Sequence, residues 1–181
     1  MAVWKLVSCD DLRHPRDWLL QGDLLRGCDV PIFKVLLDPA GDQSEPREIP
    51  LDSVDLIVVT QSCDLGNRKA PMVACCPIHK LISFEEINPH FKQKGEWEKV
   101  RLGRMAGLHM IASVDKPEDN RDSFVVDFRE IHSLPFEYVL DFVKTKSKRP
   151  RLNSPFLEHL SQAFARFFMR VGLPTPIPSF K

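Results

Sequence analysis

The residues best equipped for chemistry are gathered in one stretch, Thr60-Gln61-Ser62-Cys63-Asp64, and at His79 further on. The stretch directly follows an apolar run, so its side chains leave the core at a strand end, a common place for sites. A Cys63 thiolate with His79 from the neighbouring strand as base, and Asp64 or Asp23 as orienting acid, makes a nucleophilic constellation. RNA cleavage asks for different roles: a base takes the 2′-hydroxyl proton and a cation stabilises the phosphorane, which His79 with Arg47 or Arg68 can supply. The plainer use of the same residues makes Cys63 a small buried apolar side chain and His79 a surface residue at a strand end.

Cys63, Cys75, Cys76 and His79 are also zinc-ligand types, with a two-residue gap in Cys76-Pro77-Ile78-His79. Strand alternation opposes convergence, since positions 76 and 79 point to opposite faces, and no metal site is expected. A further charged feature is Lys144-Thr145-Lys146-Ser147-Lys148-Arg149-Pro150-Arg151, which holds no acid. Lys144, Lys146, Lys148, Arg149 and Arg151 can neutralise phosphates in a salt-dependent way. They can equally form a solvated linker, because no aromatic residue is interleaved among them for stacking bases. His14, His90, His109, His132 and His159 are scattered and read as structural or exposed.

Composition narrows the classes. A chain of 181 residues with 43% hydrophobic and 28% charged residues is that of a folded domain rather than a disordered one. At this length about 70% of the unfolded chain's surface can be buried without a disulfide or metal staple. The 25 basic and 25 acidic residues cancel, so nucleic-acid binding needs a local patch. The apolar runs fall well short of the ~20 residues of a membrane span. The start of the chain has no apolar leader pattern, and five cysteines at irregular spacing suit reduced thiols. A cytoplasmic chain with no membrane association is expected, and no cofactor motif is found.

Short apolar runs at 30–37, 48–51, 56–61 and 72–78 alternate with turn-forming clusters, Asp38-Pro39-Ala40-Gly41-Asp42 and Asp64-Leu65-Gly66-Asn67-Arg68. The continuous runs 56–60 and 72–76 predict central strands buried on both faces. Residues 1–20 read as an entry segment with a helical turn at 18–20, and 83–105 as a helical insertion. Two further strands are expected at 107–114 and 123–131. The last helix begins after Ser154 as N-cap with Pro155 in its first turn, and its stripe of Phe156, Leu160, Phe164, Phe167 and Val171 faces the core. The whole is a single domain, 1–181, of α+β class: a small half-open β-barrel over 21–137, then a basic linker and amphipathic helix over 138–181.

The order of several short motifs resembles the MazF/PemK toxin family: Gly22-Asp23, Asp38-Pro39-Ala40-Gly41, the run 56–61, Gly66-Asn67-Arg68 with Pro71, Pro77-Ile78-His79, and Arg121-Asp122-Ser123 leading into 124–126. The resemblance covers about residues 21–137. It implies an SH3-like barrel, a dimer, and a metal-independent endoribonuclease of a bacterial toxin-antitoxin or defence system. Where that family carries an active-site Arg and a Ser or Thr, this chain has Leu56 and His79; aligned from Gly41, Arg47 falls near the Arg position. Two functional classes stay open: a nucleic-acid-directed protein, cleaving RNA or only binding it, and a non-enzymatic module that binds a protein partner of the same system.

Overall fold

The computed structural model describes residues 2–32 and 49–169, so Arg47 and the 38–42 turn lie outside the described residues. Strand β1 (Trp4–Val7) opens the chain, and β2 (Leu24–Pro31) runs antiparallel to β3 (Leu51–Val58), with Leu25 opposite Leu56. The register slips between Leu25 and Cys28; Gly27 sits in this irregularity at φ 63°, and its N–H donates to the Asp55 carboxylate at 2.8 Å. β3 pairs with β4 (Met72–Lys80), Leu56 facing Pro77 and Val58 facing Cys75. The other edge of β4 is shared between β7 (His132–Pro135) and β6 (Phe124–Asp127), and β6 pairs with β5 (Leu108–Ile111).

The product is a six-stranded antiparallel sheet ordered β2-β3-β4-β6-β5, with β7 beside β4. Its terminal strands β2 and β5 do not pair with each other among the described residues, which form a mixed α+β fold with an antiparallel sheet and no closed barrel. Leu56, Ile57, Val58, Val73, Cys75 and Cys76 are fully buried, the central position that the continuous apolar runs predict. What continues β3 is α1 (Ser62–Gly66), a short helix where the sequence suggests a turn.

Two helices cover the sheet. Alternate residues Leu56, Val58, Val73 and Cys75 pack in one cluster with Val139 and Val143 of α4 (Phe136–Thr145), while Ile57 and Cys76 pack in another with Leu160 of α5 (Phe156–Phe168). Burying Val139, Leu140 and Val143 stabilises α4 by about 1.5–3 kcal/mol per side chain. Helix α5 follows a cis Ser154–Pro155 peptide, and Ser154 does not cap it through its side chain. Between β4 and β5, α2 (Leu81–Ile87) and α3 (Glu96–Arg101) form a third cluster in which the Phe91 ring lies 5.2 Å from Phe84 and 4.8 Å from Trp97.

The ends of the chain depart most from expectation. The supposed entry segment contributes β1, paired antiparallel with β8 (Arg149–Leu152), and a 3-10 turn at Pro15–Asp17. The supposed basic linker is the last turn of α4 followed by β8. Gly22 anchors the junction at φ 83°: a Cβ there would stand 2.9 Å from Leu157 Cδ1 and 3.1 Å from Leu152 Cβ, so both backbone and space require glycine. Among the described residues no helix is long and apolar enough to cross a membrane.

Candidate nucleic-acid interface

Strand register separates the expected nucleophile from its base. The Ala74 N–H donates to Thr60 Oγ1 at 2.7 Å, so the segment leading to Cys63 borders the first half of β4. His79 is five residues on, opposite Val125 of β6, about 17 Å along the strand. Cys63 is exposed in α1, and its Sγ lies 3.8 Å from the neighbouring Asp64 Oδ1. His79 instead lies half-buried against the Phe84 ring at 5.6 Å; burial lowers its pKa, opposed by Asp127, Glu130 and Asp55. The Cys63–His79 constellation is therefore not assembled, and Asp64 does not orient His79.

The four zinc-ligand candidates are likewise dispersed. Cys75 packs under α4 and Cys76 under α5, on opposite faces of β4. Burial raises the pKa of both thiols, that of Cys76 to about 12, with Asp127 adding to it. Among the described residues no group of His, Cys, Asp and Glu is arranged to hold a metal ion.

Arg149 and Arg151, expected to meet phosphates, are buried. They point inward from β8 onto Asp23, which has no exposed surface. Asp23 Oδ2 accepts from Arg149 Nη2 at 3.0 Å and Arg151 Nη2 at 2.9 Å, while Oδ1 accepts from Arg151 Nε. The remaining donors reach the N-terminal segment: Arg151 Nη2 to the Asp17 carbonyl at 2.9 Å, and Arg149 Nη2 to the Trp18 carbonyl. Such planar forks satisfy a carboxylate and carbonyls together. These arginines fasten residues 17–23 to β8 and are unavailable to a ligand.

Three of the other predicted cations, Arg68, Lys144 and Lys146, lie around α4, each on an aromatic ring. Lys144 Nζ is 5.8 Å from the Trp18 ring centre, Lys146 Nζ 4.5 Å from Phe142, and Arg68 Cζ 5.6 Å from Phe136. Arg68 reaches this position from a left-handed backbone, φ 51°, a conformation that disfavours a residue with a Cβ. Glu137 and Asp141 offset part of the charge, pairing with Arg68 at 3.4 Å and Lys144 at 2.8 Å, all at exposed positions where such pairs are weak. Lys148 is exposed just before β8 and forms no ion pair among the described residues. Sequence reasoning missed Trp18, which only the fold brings to Lys144, and Phe142, which lies just upstream of the basic run.

The result is a cation-and-aromatic flank on an α+β domain, of the composition that can bind a polyanion carrying flat rings. No protein-family model matches the chain, and no curated protein is significantly similar to it.

Proposed function

We propose that this is a nucleic-acid-directed protein that binds single-stranded RNA along the α4 flank, as a MazF/PemK-like relative that holds RNA without cleaving it. The observation that carries this reading is the pairing of Lys144, Lys146 and Arg68 with Trp18, Phe142 and Phe136. Cations there neutralise phosphates, and half-buried Trp18 and Phe142 offer edges and faces to unstacked bases. Its antiparallel sheet, covered by a helix on each face, supports an SH3-like ancestry that has lost closure, in a bacterial toxin-antitoxin or defence setting.

The reading without cleavage is supported by the distance between the base and the cation that cleavage at a 2′-hydroxyl would need: His79 is half-buried against Phe84 near the end of β4, whereas Arg68 lies on Phe136 beside its start, so these two described residues do not meet at one phosphodiester. The test is incubation of purified protein with a mixed single-stranded RNA pool, with and without chelator. The expected outcome is a shifted but intact RNA, the same for His79→Ala; metal-independent cleavage lost in His79→Ala would overturn it.

A second reading, a protein-binding module of the same kind of system, is favoured by one feature. A groove of about 600 Å³ between the β2–β3 end and residues 130–134 is lined by Val30, Ile32, Val54, Ile131 and Leu134. Ile131 and the nearby strand start Leu51 keep 41% and 63% of their surface exposed. Capture of a protein partner that Ile131→Asp abolishes, with no RNA bound, would select this reading.

A further inference from the structure

Away from α4, a cleft of about 330 Å³ lies between β5, the turn after α3 and one face of α5. His159, Gln162, Arg166 and Phe167 line it from α5, at spacings of three, four and one that share a helix face, and His109 lines it from β5. The His109 ring is laid almost parallel on buried Phe128, with centres 6.2 Å apart and planes 15° apart. Among the described residues no carboxylate lines the cleft. Arg101 at its rim is held by Glu98 at 2.6 Å, whereas Arg166 forms no ion pair among the described residues.

These features divide the cleft into two chemical halves. Arg166, His159 and Gln162 carry hydrogen-bond donors on the helix side, where no acid among the described lining residues offsets the arginine's charge. On the sheet side, His109 presents a fixed flat ring. Burial, with the nearby His159 and Arg166, lowers the His109 pKa to about 4, so the ring is uncharged at neutral pH and suited to stacking. The volume lies at the small end of ligand pockets, the scale of one nucleotide rather than a duplex.

We propose that this cleft binds a nucleoside monophosphate, its phosphate held by Arg166 with His159 and Gln162 and its base stacked on His109. Free nucleotide and the 5′-phosphorylated end of a strand present the same group. The site is independent of the α4 flank, and either can fail without the other.

Titration calorimetry at neutral pH with adenosine 5′-monophosphate, adenosine, inorganic phosphate and a 5′-phosphorylated oligonucleotide tests it. Saturable binding of the monophosphate is expected, weakened ~10- to 100-fold in Arg166→Ala by loss of a charge-assisted contact. Adenosine should bind more weakly, and His109→Ala should weaken the monophosphate while leaving inorganic phosphate unchanged. Arg166 is exposed, so its variant keeps the fold, as circular dichroism verifies. Equal affinity of the oligonucleotide assigns the site to strand ends, and weaker affinity assigns it to free nucleotide. Monophosphate binding unaltered by Arg166→Ala, or no binding by folded protein at millimolar ligand, overturns the proposal.

Discussion

Asp23 and Arg149, 126 residues apart in the chain, share a hydrogen-bonded ion pair at 3.0 Å with almost no access to solvent. With Arg151 on the same carboxylate, one acid serves two guanidinium groups and joins β2, β8 and the 17–20 backbone. Removing Asp23 leaves two buried cations without a counter-charge. Asp23→Ala is expected to destabilise the fold by about 3–5 kcal/mol, the scale for breaking a buried pair from one side. Urea unfolding measures this, and a loss under about 1 kcal/mol would mean that water already reaches the cluster.

Thiol reactivity should sort the cysteines by burial. Cys63 is exposed, whereas Cys28, Cys75 and Cys76 are buried with pKa values raised by burial. In the native state an aromatic disulfide reagent should label Cys63 fast and those three only after unfolding. Because His79 is remote, His79→Ala should leave the Cys63 rate unchanged; a marked slowing would show that the two residues communicate.

Acid should weaken the protein through its histidines. The His109 pKa is about 4 in the folded chain against an ordinary value of 6.5, so below pH 6.5 the unfolded state binds the proton first. The stability it contributes is present above pH 6.5 and is lost as pH falls towards 4, by about 3 kcal/mol. His79, also lowered, acts in the same direction. Urea midpoints from pH 7.5 to 4 should fall, and His109→Gln should flatten the fall.

Gly22→Ala is expected to cost at least ~1 kcal/mol, since the new Cβ meets Leu157 and Leu152 from a left-handed backbone. A thermal melt against a Gly95→Ala control, where the φ is also positive but nothing stands within 4 Å, separates crowding from backbone strain.

Local patterns made part of this fold legible. Runs of β-forming residues announced β3 and β4, and the spacing of Phe156, Leu160 and Phe164 announced α5. Helix α4 carries the same kind of signal in Phe136, Val139, Leu140 and Val143, masked by the lysines that follow it. Strand β8 was illegible because Arg149 and Arg151 turn inward only when Asp23 is there to receive them, and that partner is remote in sequence. The site suffered from the same limit. Proximity along β4 put His79 near Cys63, whereas register, set by the Ala74–Thr60 contact, put them at opposite ends. Trp18 beside Lys144 and His109 beside His159 and Arg166 are long-range meetings that no spacing encodes.

The salt dependence of binding to a single-stranded RNA, followed by fluorescence anisotropy, tests the central claim most directly. With Arg68, Lys144, Lys146 and Lys148 each neutralising a phosphate, log K should fall with log salt at a slope of about −3, and each alanine substitution should reduce that slope by about 0.7. A slope unchanged when Lys144, Lys146 and Lys148 are all replaced by alanine, or no binding at low salt by the folded protein, would contradict the account.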